Sequence, residues 1–316
     1  MSTEMLPTRD GYGKELVKLG KENNKIVVVS ADLEDSTRSN WFAKEFPDRA
    51  FTVGIAEQDM VGTAAGLSMN GFIVFINSFA VFMTNRAYDM LRMDLCYNKR
   101  NVKIICSHAG LTVGEDGASA QCLEDIALMR VLPNMKVVCP ADAIEAAKAT
   151  RAFVEEEGPM YMRTSRAPLP IVTKESDVFK IGKANVLRDG KDVTIIACGV
   201  MVTEAIQAAE LLKKDNIKAK VVNMHTIKPI DEKMIMDSAL QTGAIVTAEE
   251  HQIHGGLGSA VAEVVVRQCP VPMEFVAVKD TFGESGKPDE LLQKYHLKAV
   301  DIVAAAKKVV GKKIAV

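Results

Sequence analysis

Short runs of β-branched and apolar residues recur along the first half of the chain: IVVVS ending at Ser30, FIVFIN from Phe72, VKIIC ending at Cys106, MKVVC ending at Cys139 and MYMRT ending at Thr164. Each has the length and unbroken apolarity of a strand buried on both faces. Between them lie longer segments, DMVGTAAGLSM, NRAYDMLRMDL, LEDIALMRVL and AIEAAKATRAFVEE, whose apolar residues fall at helical spacing. This alternation predicts an α/β fold, a parallel sheet with helices on both faces.

The alternation lapses from Pro168 to about Lys191, where Pro168, Pro170, Gly182 and Gly190 break any helical period. Such a stretch reads as a crossing between domains. The pattern restarts with VTIIAC, TEAIQAAELLKK, KAKVVNM, DEKMIMDSAL, AIVTAEE, SAVAEVVVRQ and MEFVAV, and closes on a helical tail near Asp301 to Val310. Two three-layer α/β domains are expected, residues 1–170 and a smaller one over 191–316, joined by 171–190. The length of 316 residues agrees, because single cores stop growing at roughly 250 to 300 residues. The halves share an architecture but no sequence register, so they are not an internal repeat.

Composition narrows the class. Hydrophobic residues at 48% and charged residues at 25% exclude a disordered or fibrous chain. Thirty-nine basic against 41 acidic residues leave a net charge of −2, so no global field exists to hold nucleic acid or an acidic bilayer. The longest apolar run, Gly71 to Met83, carries Asn77 and Ser78 and falls short of the roughly 20 residues that span a membrane. MSTEMLPTRDGYGK has no basic stretch leading into an apolar one, so no secretory leader is expected. Cys96, Cys106, Cys122, Cys139, Cys198 and Cys269 form no CxxC pair and sit mostly in apolar runs, the pattern of reduced, buried thiols. A soluble, cytoplasmic protein is the expectation.

Several signatures are missing from the sequence: a GxxxxGK[ST] loop, HExxH, a GxSxG elbow and an EF-hand loop. Hydrolase and nucleotide-kinase readings lose their support. GGLGSA, Gly255 to Ala260, lacks the full dinucleotide spacing and reads as close helix packing. His251 and His254, three apart without a third ligand nearby, read as a polar loop rather than a metal site, and no metal is assigned to this chain.

The informative residues gather where the strands of the first domain end, the edge at which open α/β sheets place ligands. They are SADLEDS (Ser30 to Ser36), GIAEQDM (Gly54 to Met60), NSFAVF (Asn77 to Phe82) and SHAGLTVGEDGASAQ (Ser107 to Gln121). In this order, continuing through SRAP (Ser165 to Pro168) into VVNMHTIKPID and EEHQIHGGLGSAVAE, they resemble the C-terminal half of transketolase. The resemblance covers nearly the whole chain, and GEDG after a strand with His108 at its end is its most specific part. It implies a thiamine diphosphate pyrimidine-binding fold followed by a transketolase C-terminal domain. The implied activity is transfer of a two-carbon ketol unit from a phosphorylated ketose to an aldose.

The resemblance also implies roles for single residues. Read alone, Glu57 is a first-turn glutamate that caps its helix, as Asp59 could; by the family pattern it holds the proton of a pyrimidine ring nitrogen and tunes the ring's tautomer. Glu57 and His108 are the implied catalytic pair. Phe79 and Phe82, at i, i+3, would pack on the pyrimidine unless they are plain core residues. Ile55 would prop the bent cofactor unless it is an ordinary core isoleucine, and Asp32 is expected among the cofactor-binding residues. Arg9, Ser36 and Arg166 fall where the family binds the sugar phosphate, and His108 and Asp116 where it meets the donor hydroxyls. Two departures stand out: Asn85 replaces a third aromatic, and Ala120 replaces a substrate-facing histidine, which leaves the preferred sugar open.

The Mg²⁺ module of the family, GDG with a downstream asparagine, is missing, and the one EDG, Glu115 to Gly117, belongs to the substrate loop. The chain therefore carries the pyrimidine half of a site. An N-terminal partner subunit holding diphosphate and Mg²⁺ is implied, in an α₂β₂ heterotetramer of the pentose phosphate pathway in which this chain also pairs with its own copy. The alternatives are a deoxyxylulose phosphate synthase-like or 2-oxoacid dehydrogenase β-like subunit, or a non-catalytic regulatory subunit.

Overall fold

The computed structural model describes residues 4–313; the first three and last three residues of the expected domain ranges lie outside it. Every apolar run read as a strand is one. In the first domain they become Ile26–Ser30, Ile73–Phe79, Val102–Ser107, Lys136–Val138 and Met160–Arg163. Side by side the order is Ala50–Thr52, Ile26–Ser30, Ile73–Phe79, Val102–Ser107, Met160–Arg163, Lys136–Val138, all parallel. Buried Val, Ile and Met side chains point to both faces, as a sheet covered on two sides requires. From Ile26–Ser30 the chain steps first to one neighbour and then to the other. This reversal opens a crevice beyond the carboxyl ends of Ile26–Ser30 and Ile73–Phe79.

Helices cover both faces. Thr8–Glu22 packs beside Ala143–Glu155 on one side. The other side carries Glu57–Met69, Ala80–Arg86 and Asp125–Val131. Asp142 fixes the start of Ala143–Glu155: its buried carboxylate takes the Glu145 N–H at 2.9 Å, which satisfies one orphan donor of the first turn. The same carboxylate takes Val172 N at 2.8 Å, Thr173 N at 2.6 Å and Thr173 Oγ1 at 2.9 Å, and so ties down the chain as it leaves the domain. The segment NRAYDMLRMDL is not one regular helix. A π-helical stretch, Leu91–Tyr97, follows the short turn Tyr88–Met90.

The second domain is a five-stranded sheet in the order Met273–Val278, Ile245–Gln252, Val193–Ala197, Ala219–Asn223, Asn185–Arg188, parallel except for the last. Two details differ from the sequence expectation. The crossing over 171–190 ends early, because Asn185–Arg188 already pairs with Ala219–Asn223; its half-exposed, mixed residues give no apolar run to read. Thr226–Lys228 of the second domain leaves its own sheet and pairs antiparallel with Lys136–Val138, completing the first sheet as a seventh strand. GGLGSA opens the helix Leu257–Gln268, and a Cβ on Gly258 would stand 2.3 Å from the Phe275 ring. Its N-terminus is filled from within, since Glu249 accepts from Leu257 N at 2.7 Å and Gly258 N at 2.8 Å. Among the described residues no helix is long and apolar enough to cross a membrane.

Candidate functional site

The clusters at the strand ends converge on the crevice. Glu57 begins the helix Glu57–Met69 and is 4% exposed although its helix starts at the rim. Its carboxylate meets Arg86, whose Nη1 lies 3.1 Å from Oε1 and 3.4 Å from Oε2. The guanidinium of Arg86 in turn lies over the Phe82 ring, 4.3 Å from its centroid. Phe82 stacks with Phe79 at 5.6 Å and 13°, and Phe79 stacks with His108 at 3.8 Å and 17°. A continuous run, Glu57, Arg86, Phe82, Phe79, His108, thus crosses the carboxyl ends of two neighbouring strands.

Local folding explains why these planes meet. Phe79 closes the strand Ile73–Phe79 and turns the chain into Ala80–Arg86, so Phe82 and Arg86 fall at i+3 and i+7 from it on one helical face. His108 stands just beyond Val102–Ser107 with φ +58°, a left-handed backbone that a non-glycine residue seldom adopts. Ser107 Oγ lies 2.7 Å from His108 Nδ1 and leaves Nε2 as the ring nitrogen it does not engage. Burial, with the positive charges of Arg9, Arg166 and Arg38, pushes His108 down to about 3, so the ring is neutral at physiological pH.

A second group lies beside His108 and is cationic. Arg9, on the helix Thr8–Glu22, donates to the Ser36 carbonyl at 2.7 Å, while its buried Nε has no partner among the described residues. Burial and the nearby Arg38 push Arg9 down to about 10. Arg166 donates to the Val113 carbonyl at 3.0 Å and to Asp116 at 2.9 Å, which brings together two of the residues read from the sequence. Arg38, also left-handed (φ +71°), is tied to Asp10 at 2.6 Å. Arg9, Arg38 and Arg166 outnumber the carboxylates that pair with them, Asp10 and Asp116. Three clustered cations are chemistry suited to a multiply charged oxyanion.

The remaining sequence candidates take no part in either set of contacts. Ile55 is 74% exposed at the rim. Asp32 is exposed with φ +61°, and among the described residues nothing hydrogen-bonds its side chain. Asn85 turns outward and donates to Glu124 at 3.1 Å, whereas Ala120 is buried in the loop that follows His108. His251 is fully buried with Nδ1 2.7 Å from the Gln252 carbonyl, and His254 is exposed. Among the described residues no three metal-ligating side chains are grouped. Sequence reading missed Arg86 and Arg38. The i+4 spacing of Arg86 from Phe82 was the available signal for the first; Arg38 gave none, since its partner Asp10 lies on another helix.

The donor set suits a flat heteroaromatic ring: aromatic planes beside one buried carboxylate that retains lone pairs beyond those Arg86 uses. Comparisons agree. Residues 4–171 match the family described as transketolase, pyrimidine binding domain, and residues 182–302 match transketolase, C-terminal domain. A transketolase C-terminal section from Methanocaldococcus jannaschii is 48% identical over 292 residues, covering 92% of each chain. Human transketolase is 39% identical over 313 residues, 98% of this chain but 50% of the human one. A solved structure of a split-gene transketolase, an inactive β4 tetramer, superposes with a TM-score of 0.90 at 49% identity, covering 98% of this chain and 99% of that one. The chain belongs to the transketolase family and carries its pyrimidine-binding and C-terminal domains.

Proposed function

We propose that this chain is the C-terminal subunit of a split transketolase and that, with an N-terminal partner subunit, it moves a two-carbon ketol unit between phosphorylated sugars in the cytoplasm. One observation carries this reading: Glu57 is buried beside an aromatic run that ends on a neutral His108. Glu57, Phe79 and Phe82 would hold the pyrimidine of thiamine diphosphate, with Ile55 and Asp32 at the same edge. When bound, that cofactor would supply a nucleophilic carbon. Diphosphate and Mg²⁺ fall to the partner subunit, in an α₂β₂ assembly.

The chain's own side chains then divide the work. Arg9 and Arg166, with Ser36 beside them, bind the terminal phosphate and set how deep the sugar sits. Nε2 of His108 accepts or donates a proton at a substrate hydroxyl, a task for which a neutral imidazole is suited. Asp116, tied to Arg166, orients the donor hydroxyls. Ala120 offers no hydrogen bond there, so a donor lacking the hydroxyl normally contacted at that point loses less than it would against a histidine. The test is to mix the chain with its N-terminal partner, thiamine diphosphate and Mg²⁺, and to follow conversion of a ketose phosphate with an aldose phosphate. Activity is expected and should fall at least about 100-fold in Glu57→Ala, because one preorganised group at the reacting ring is lost. An authentic complex without activity, or an unaffected variant, overturns the proposal.

A further inference from the structure

The loop that carries His108 and Asp116 is held from both domains: Arg166 of the first donates to the Val113 carbonyl and to Asp116, and the second grips the backbone between His108 and Asp116. Glu250, near the carboxyl end of Ile245–Gln252, is 2% exposed and reaches across the domain boundary. Its Oε1 accepts from Thr112 N and its Oε2 accepts from Thr112 Oγ1 at 3.1 Å. The approach needs a glycine: Gly110 has φ +81°, and a Cβ there would lie 2.3 Å from the Glu250 carboxyl carbon. Behind it, Arg163 donates to the Glu250 carbonyl at 2.8 Å and to Asp125 at 3.0 Å, so the strand that presents Glu250 is itself fixed to the first domain. A second hold lies further along the loop, where Gln121 Nε2 donates to the Glu284 carbonyl at 2.9 Å.

We infer that Glu250 is a positioning residue for the transfer reaction, which sets His108 and Asp116 by gripping the backbone between them. The inference rests on the function proposed above. Three considerations support it. First, burying a carboxyl between domains is a poor way to gain stability, since well-packed apolar residues do as well or better; what the grip adds is a fixed location for Thr112. Second, Thr112 stands four residues from each of the two substrate residues. Third, His108 keeps a left-handed backbone, a conformation that persists when surrounding structure over-determines it. Between Ser107 and Gln121 the loop's own bonds close its ends, Gly110 N to the Cys122 carbonyl at 2.8 Å and Gln121 N to the Gly117 carbonyl at 3.0 Å, whereas Thr112, in the distorted 3₁₀ stretch Leu111–Asp116, takes its hold from Glu250. Burial pushes Glu250 up to about 7, against the opposing charge of Arg163, so a neutral glutamine is a fair replacement: its carbonyl accepts from Thr112 N and its amide donates to Thr112 Oγ1.

The test uses the assembled, cofactor-loaded complex. In Glu250→Ala, kcat is expected to fall about 100-fold, the scale of a misplacement near 1 Å, while thiamine diphosphate affinity measured by calorimetry stays within about threefold of the parent, less than the tenfold that 1.4 kcal/mol represents. Glu250→Gln should restore most of kcat. Thr112→Val, which removes one hydrogen bond and keeps the volume, should cost about tenfold in kcat, and it decides the matter if the alanine variant fails to fold. Unchanged kcat in Thr112→Val, or equal losses of kcat and cofactor affinity in Glu250→Ala, overturns the inference. If the parent complex itself transfers no ketol unit, the functional proposal has failed instead.

Discussion

His108 shows how much one residue's setting matters. An unfolded histidine takes a proton near pH 6.5, whereas in the folded chain burial and the arginines around it push that event down to about 3. Between those values the unfolded chain binds a proton that the folded chain does not, so His108 makes the fold less stable as pH falls. His108→Asn should therefore gain on the parent below pH 6.5, by at most about 1.4 kcal/mol per pH unit; urea midpoints at pH 7.5 and 5.5 check this. At the same scale, the i, i+3 spacing of Phe79 and Phe82 placed two rings side by side, and they stack on one another; that they also hold a pyrimidine rests on the family resemblance. Glu57's partner was hidden, since Arg86 lies 29 positions away and only the fold brings the two together. Arg38 was hidden for the same reason.

Among elements, the long buried strands were legible because continuous β-branched runs leave few other structures open. Ala50–Thr52, Thr226–Lys228 and Asn185–Arg188 were not: each is short, and pairing with a neighbour rather than burial of an apolar run makes it a strand. The helix Thr8–Glu22, which supplies Arg9, was missed as well. Its interior glycines, Gly11 and Gly13, look like breakers, yet a Cβ on Gly11 would lie 2.0 Å from the Ala143 carbonyl oxygen; they are where helices touch. Asp142 governs the start of the helix opposite. Removing it leaves Glu145, Val172 and Thr173 without their acceptor, so Asp142→Ala should cost about 3 kcal/mol, the sum of a lost cap and the stranded donors. Urea unfolding of the purified chain measures it. Glu145→Gln is not an equivalent change, because the Glu145 backbone, not its side chain, is what Asp142 caps.

At the scale of the whole molecule, three exposed apolar residues fall on adjoining elements. Met69 at the end of Glu57–Met69, and Met93 and Tyr97 on the adjoining Leu91–Tyr97, are exposed and belong to elements in mutual contact. A surface of that kind is expected to be covered by a second copy. Analytical ultracentrifugation should find the parent as a dimer or larger, and Met69→Lys with Tyr97→Glu should shift it to a monomer with little change in the far-ultraviolet spectrum. The division into two domains was visible in the sequence because the crossing lacks periodicity. Their interlocking was not visible, because it depends on contacts between residues far apart in the chain, the strand Thr226–Lys228 against Lys136–Val138 and Glu250 against Thr112. That borrowed strand has a consequence for recombination among relatives. Exchanging one half for a homologous half at residue 171 or 182 would graft a foreign seventh strand onto the resident sheet, where two registers set by different lineages meet. Interchangeable modules would have to be cut so that the lender and the borrower of the strand travel together.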